Sequence, residues 1–387
     1  MDREAPDIAI LGIGTAVPNY RLDQSDTSRR LAEALGENSD PARWAKRIFR
    51  QCGVETRYTC EPNLLEPASR CRYFPQTGEP APSTAERMKT YRREAVPLGL
   101  QAARQAMLDG SAKASEITHL ITVSCTGQFL PGLDAVISRE LGLSPETSRI
   151  PLTFLGCAAG LKAVGLSLQV VRGQPDAKVL IVCVELCTLH IQPSAGREAL
   201  YAASFFGDGA SACIVGCPGP DDRDVFRLDG HRSVLLPEYA EEMVWEVGDY
   251  GFDLYLSPAI PKRIGGWIPA EIARFCAGDA RPELWAIHPG GRGIVDALQE
   301  ALELDDGQTG PSRTVLRQNG NVSSATILFV LREMKRELKR KESRARPAIG
   351  LAMAFGPGLA AEMLKFAYVP SVMPQGQGAA AAGGALA

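Results

Sequence analysis

The sequence predicts an α/β fold in layers, assembled from two related halves, and three observations carry that prediction. Short β-rich runs alternate with helix-like segments along most of the chain, the pattern of buried, nearly continuous apolar strands covered by helices. A Phe-Gly-x-Gly turn leading into an apolar run occurs twice, in FGDGASACIV (206–215) and FGPGLAAEML (355–364). Upstream of each turn, a glycine, one polar functional residue and small residues recur, as GCAAG at 156–160 and GNVSSA at 320–325. At 387 residues the chain also exceeds the roughly 250–300 at which a single core stops growing.

Taken in order, the predicted strands are IAILGIGTAV (8–17), HLITVSC (119–125), KVLIVCVEL (178–186), SACIVGC (211–217), LWAIHPG (284–290) and IGLAMAF (349–355). Helix-like segments are predicted at 95–109, 158–172, 293–303 and 323–341, the last running into the charged stretch REMKRELKRKESRAR, read as a solvated face. PGPDDRD (218–224) reads as a surface connection, dividing the chain into a half spanning 1–225 and a half spanning 226–369. The end, residues 370–387, is low in complexity and expected to be disordered.

Composition narrows the function classes. The chain is 45% hydrophobic and 22% charged, with a net charge of −3, a balance that argues against a nucleic-acid binder. The acidic start MDREAPD lacks the order of a signal peptide, and no apolar run approaches the ~20 residues that span a bilayer, so a cytoplasmic protein without membrane insertion is expected. Ten cysteines are spread thinly, several inside strand-like runs, which fits reduced buried thiols. Cys183 and Cys187, and Cys213 and Cys217, are spaced by four but lack His partners and the turns of zinc knuckles, so no metal site is expected.

Three residues attract chemistry. Cys157 sits in GCAAG, where an extended run turns into a helix, and a cysteine at a helix N-terminus gains from free amides and the positive dipole end. The small neighbours leave room for backbone behind it and substrate in front. The competing reading is a core thiol, since cysteine is among the most buried residue types. Of four histidines, His288 is the best placed, closing the strand LWAI before the turn PGGRG at the edge where α/β folds put their sites. Asn321, in QNGNVSSAT, follows a turn and opens a helix, and the alternative role there is an N-cap. Cys157, His288 and Asn321 together form a Cys-His-Asn set with two competing chemistries, peptide hydrolysis and acyl transfer with carbon–carbon bond formation. The first would need a Cys-Gly-Ser-Cys-Trp-like stretch, which is absent.

CTGQFLPGLD (125–134), LGCAAG (155–160), ELCTLHIQP (185–193), FFGDGA (205–210), IHPGG (287–291), GNVSSA (320–325) and FGPGL (355–359) resemble, in order, stretches of bacterial type III polyketide synthases, the chalcone synthase-like family. The resemblance implies a thiolase-like fold, αβαβα in five layers with duplicated halves, and a homodimer. It implies that Cys157 takes the acyl group of a starter acyl-CoA. His288 and Asn321 would stabilise the enolate formed when malonyl-CoA loses carbon dioxide, and the extended chain would cyclise to an aromatic or pyrone product. No cofactor is implied beyond the CoA thioesters. Initiating ketoacyl-ACP synthases share the fold and the Cys-His-Asn set, hydroxymethylglutaryl-CoA synthases share the fold, and a Cys-His-Asn thiol hydrolase is a more distant alternative.

The same resemblance assigns further positions. Phe206 matches the aromatic that separates CoA tunnel from cavity, with Phe252 as a second gate. The cavity lining would include Cys125, Thr126, Cys187, His190, Ala202 and Ser323, with Leu130 reaching across the dimer. Plant members usually carry threonine where Cys125, Cys187 and His190 fall, and Cys125 follows the bacterial pattern. The basic run RWAKRIFRQCGVETRY offers Arg43, Lys46, Arg47, Arg50 and Arg57 as a clamp for CoA phosphates, or else as a solvated helix face.

Overall fold

The computed structural model describes residues 6–75, 78–220, 222–340 and 346–371. The first part of the chain forms β1 (Ala9–Ala16), β2 (Tyr20–Asp23), α1 (Gln24–Ala34), α2 (Asp40–Gln51), β3 (Thr56–Thr59), α3 (Thr84–Asp109), β4 (His119–Ser124), α4 (Leu133–Leu141), β5 (Ser148–Thr153), α5 (Ala159–Gly173), β6 (Val179–Leu186), α6 (Arg197–Phe205) and β7 (Asp208–Gly216). The second forms β8 (Val225–Leu235), β9 (Met243–Gly248), β10 (Gly251–Leu256), α7 (Ile260–Phe275), β11 (Leu284–Ile287), α8 (Arg292–Ala301), α9 (Asp306–Asn319), α10 (Thr326–Arg340), β12 (Ala348–Gly356) and β13 (Ala360–Val369).

Nine strands join in the order β11-β12-β13-β8-β1-β7-β6-β4-β5. The two parts meet at a narrow seam, where only Ala9 and Ile10 of β1 pair with Arg227 and Phe226 of β8. Outward from that seam the strand senses repeat. On one side β1, β7 and β6 alternate antiparallel, and β4 and β5 add in parallel. On the other side β8, β13 and β12 alternate antiparallel, and β11 adds in parallel. The repeated Phe-Gly-x-Gly turns precede β7 and β13, which hold equivalent places, and α5 and α10 each follow a short 3₁₀ turn, at 156–158 and 323–325.

Side-chain alternation along the strands divides the core into layers. On β6, Val179, Ile181 and Cys183 face α5 and α10, while Leu180, Val182 and Val184 face α3. On β12, Ala352 and Ala354 face the same central helices, while Leu351, Met353 and Phe355 pack on α7 and α8. The order is therefore helix, sheet, paired helices, sheet, helix, the five-layered thiolase-like arrangement. α5 is apolar on almost every side, as a helix enclosed between two sheets must be.

The predicted helices at 158–172, 293–303 and 323–341 correspond to α5, α8 and α10, with the last opening as a 3₁₀ turn. α3 starts eleven residues before the predicted 95, at a capping box in which the Ser83 side chain meets the Glu86 N–H and the Glu86 carboxylate meets the Ser83 N–H. Pro97 lies inside that helix and does not begin it. The expected tail lies, beyond Ser371, outside the described residues, as does the 341–345 part of the charged run.

Candidate active site

Cys157 lies in the 3₁₀ turn that feeds α5, with its backbone shaped by Gly156 in a left-handed conformation (φ +64°). A side chain at 156 would also collide with Pro357 of the FGPGL loop. Gly160, the second residue of α5, faces the Ser324 carbonyl so closely that a Cβ there would overlap it. The small residues of GCAAG thus let the turn before α10 come against the turn before α5, which brings Asn321 to Cys157. The Cys157 Sγ stands 3.8 Å from Asn321 Nδ2, 3.9 Å from Asn321 Oδ1 and 3.7 Å from Ser323 Oγ.

Asn321 is not an N-cap. Its backbone bridges Phe206: Asn321 N–H donates to Phe205 C=O at 2.8 Å, and Gly207 N–H donates to Asn321 C=O at 3.0 Å. Its Oδ1 accepts from Ser323 N–H at 2.8 Å, and Nδ2 donates to Gly290 C=O at 3.3 Å. His288 follows β11 directly, its N–H donating to Met353 C=O at 2.8 Å. Its ring is buried, and neither ring nitrogen has a hydrogen-bond partner among the described residues. Such groups are rarely left unpaired.

Cys157, His288 and Asn321 share a cavity of about 530 Å³, together with Phe206 and Ala202. The rest of its wall is mainly apolar: Trp44 and Ile48 of α2, Met243, Trp245, Leu254 and Leu256 of β9 and β10, and Ile260 of α7. Burial pushes the Cys157 thiol up to about 11, against hydrogen bonds from Ser323 and Asn321 that lower it, and pulls the His288 imidazole down to about 3. Each group alone is therefore neutral at rest. Moving one proton from sulfur to imidazole creates opposite charges in one low-dielectric cavity, where they stabilise each other.

Several expected lining residues lie elsewhere. Cys125 is buried under the nucleophile turn: its sulfur accepts from Gly156 N–H at 3.0 Å and is absent from the cavity wall. Thr126 is buried beside it, and Cys187 packs with Phe205 and Phe206. His190 is enclosed, its Nε2–H donating to Thr126 C=O at 2.7 Å while Nδ1 accepts from Phe252 N–H at 3.0 Å. Phe252 stacks on the His190 ring at 4.2 Å and does not stand at a gate. Ser323 is buried but touches Cys157, and Leu130 is 89% exposed. The His190, Phe252 and Trp245 rings pack against one another.

The basic run divides. Arg57 lies in β3, wholly buried over the Phe49 ring, and its Nη1 donates to Phe206 C=O at 2.7 Å, so it supports the Phe206 segment and cannot clamp phosphate at a surface. Arg43 pairs with Asp40, and Lys46 with Glu37. Arg47 and Arg50 are exposed on α2, beside the Trp44 and Ile48 face that lines the cavity. Sequence reasoning missed Glu185. It is buried behind Cys157, accepts from Cys125 N–H, Thr126 Oγ1 and Ser324 Oγ, and burial lifts its carboxyl to about 7. A lone acid inside ELCTLH, at the end of an apolar strand, is the signal that could have marked it.

The architecture is shared with solved structures. It superposes on the C-terminal type III polyketide synthase domain of Dictyostelium Steely1 with a TM-score of 0.84 at 26% identity, covering 94% of this chain and 99% of that one. PKS-I from the brown alga Ectocarpus siliculosus gives 0.87 at 24% identity, a likeness of fold, over 95% and 100% of the two chains. A thiolase-like fold with thiol, imidazole and amide on one buried cavity defines an acyltransferase. Residues 2–220 match the family described as chalcone and stilbene synthases, N-terminal domain, and residues 230–370 its C-terminal domain. The chain belongs to the chalcone and stilbene synthase family, the type III polyketide synthases.

Among relatives, it is 32% identical over 368 residues to Type III polyketide synthase 21 of Oryza sativa, covering 91% of this chain and 92% of that protein. It is 30% identical over 364 residues to the alpha-pyrone synthesis polyketide synthase-like Pks18 of Mycobacterium tuberculosis, covering 92% and 90%. Against Probable polyketide synthase 1 of Dictyostelium discoideum, 28% identical, it spans 91% of its own length but 11% of that much longer protein.

Proposed function

We propose that the chain loads an acyl-CoA starter on Cys157, extends it by repeated decarboxylative condensation with malonyl-CoA, and cyclises the product to an aromatic ring or pyrone. The observation that carries this reading is the buried His288 ring, both nitrogens unpartnered, on one cavity with Cys157 and Asn321. In loading, the sulfur passes its proton to His288 and attacks the thioester carbonyl, and CoA leaves as the thiol by taking that proton back. In extension, malonyl-CoA releases carbon dioxide and the electron pair collects on the enolate oxygen. An Nε2–H of neutral His288 and the Nδ2–H of Asn321 are donors for that oxygen, each typically worth roughly 3–4 kcal/mol. The amide is too weak an acid to protonate the enolate carbon, which attacks the acyl-Cys157 carbonyl and expels sulfur as a thiolate that regains its resting proton from water. Phe206, held by Arg57 and by the Asn321 bridge, lines the same cavity as this centre.

Arg47, Arg50 and Arg197, the last over the Trp44 ring at 5.7 Å, are the cations we assign to CoA phosphates. The first half ends in the 218–224 connection and the second begins with β8. The edge strand β5 carries a solvent-facing row, and Leu130, Phe154 and Leu155 are exposed near it, which supports a homodimer formed through this edge with Leu130 directed at the partner. Ten free cysteines suit the reducing cytoplasm, and no helix among the described residues is long and apolar enough to cross a membrane. The test is mass spectrometry of the intact protein and its products with malonyl-CoA and a panel of acyl-CoA starters. An acyl adduct on Cys157 is expected, lost in Cys157→Ala. An equal adduct on that variant, or acylation only from an acyl carrier protein, would overturn the reading.

A further inference from the structure

The outer wall of the cavity is a two-stranded hairpin, β9 and β10, whose strands pair only with each other. Trp245 opposes Leu254 and Met243 opposes Leu256 across it, and all four line the cavity. Next to the Trp245–Leu254 pair, on the turn side and the other face, Glu246 opposes Asp253, two exposed carboxylates directly across from one another. Like charges in that register destabilise a strand pair, and a lone hairpin is marginal even without them. The wall's position must therefore come from outside the hairpin.

Three side chains that do not line the cavity supply it. The Thr84 hydroxyl, at the first residue of α3, accepts from Gly251 N–H at 2.8 Å and donates to Gly248 C=O, so one side chain closes both limbs of the hairpin turn. The Thr84 N–H donates to Asp249 C=O at 2.8 Å. Gln192 Nε2 donates to Tyr250 C=O at 3.1 Å and to Phe252 C=O at 3.3 Å. His190 accepts from Phe252 N–H and stacks on its ring, as described above. Arg87, also on α3, donates to the carbonyls of Leu189 and Ile191 and fixes the segment that carries His190 and Gln192. The N-terminal turn of α3 thus holds the hairpin tip directly through Thr84 and indirectly through Arg87.

We propose that Thr84, Gln192 and His190 are positioning residues that set this wall, so that starter selection is governed from behind the hairpin as well as from the cavity surface. The selection clause rests on reading the cavity as the acyl-loading site; the mechanical clause does not. Thr84→Val keeps size and removes the hydroxyl, leaving Gly251 N–H and Gly248 C=O without that partner, while Thr84→Ser restores it. By amide hydrogen exchange on the full chain, peptides within 243–256 of Thr84→Val are expected to exchange about tenfold faster or more, with β6 and β12 unchanged and Thr84→Ser close to the parent. The kcat/KM ratio between a short and a bulky acyl-CoA starter shifts by about threefold or more, while malonyl-CoA decarboxylation stays within about twofold. Unchanged exchange in the hairpin, or a uniform rise along the chain, overturns the anchoring. A loosened hairpin with an unchanged starter ratio overturns the selection. Absence of any acyl adduct on the parent protein would sink the proposed function and leave the exchange result standing.

Discussion

At the scale of single residues, His288 is the first to test, because its ring is buried on the cavity and neither nitrogen has a partner among the described residues. His288→Ala and Asn321→Ala are each expected to slow malonyl-CoA decarboxylation by about 10²-fold or more, the usual loss for one oxyanion donor. Rates within about twofold of the parent would show that neither side chain meets the enolate. Because the thiol alone is pushed up to about 11, removing the imidazole that takes its proton should also slow alkylation of Cys157 by iodoacetamide at neutral pH and move its pH profile upward. An unmoved profile would mean that His288 does not receive the proton. Cys125 changes role between sequence and structure. Its sulfur holds the Gly156 N–H beneath the nucleophile, so Cys125→Ser and Cys125→Thr should lower loading and melting temperature together, not redirect the product. A changed product ratio at unchanged stability would place the thiol back in the chamber.

At the scale of elements, the contact of Gly160 in α5 with the turn before α10 is the joint on which the site depends. Gly160→Ala would force the Ser324 carbonyl away from α5, with an overpacking cost of about 1–3 kcal/mol and a loss of activity larger than that of an alanine placed elsewhere on the helix. Thermal melts beside acyl loading check this, and full activity would mean that the two turns shift without consequence. The same joint shows what the sequence made legible. GCAAG and GNVSSA stand out because close backbone approach demands small residues there, and the apolar runs of β1, β4, β6, β7, β11 and β12 stand out because both faces are covered. The first half of α3, TAERMKTYRRE, buries only Arg87 and Tyr91, so no apolar period marks it in the sequence. β9 and β10 alternate visibly, yet their anchors sit far away in sequence at 84 and 190–192, where no local pattern reports them. Arg57 reads as part of a basic helix face, and its burial depends on Phe49 and Phe206 closing over it from other elements.

For the whole molecule, buried titratable groups shape the response to pH. Burial raises Glu185 to about 7 and Asp208 to about 6, so folding favours their protonated forms. Stability from each is complete below its ordinary range and is lost as pH rises through 6 to 7. His190 and His288 are depressed to about 3, so their contribution is present above the ordinary imidazole value and is lost as pH falls toward 3. The two sets oppose one another between about pH 4.5 and 7, which flattens the parent profile there. Glu185→Gln removes the largest carboxylate contribution, and its melting temperature relative to the parent should climb from pH 5 to pH 8. A constant difference over that interval would mean that Glu185 stays ionised in the folded protein.

The approach of the two turns at Gly160 also imposes an order on the birth of the enzyme. Cys157 leaves the ribosome about 200 residues before Pro357, which abuts Gly156, and Asn321 emerges only late in that interval. At ordinary elongation speeds of roughly 5–20 residues per second, the reactive thiol spends about 10–40 s on a chain that does not yet possess its amide neighbour or the loop that closes over it. A nascent or truncated first half therefore carries a thiol without a catalyst, open to oxidants and electrophiles. Competence comes with the amide at Asn321 and shelter with the loop at Pro357, both long after the thiol.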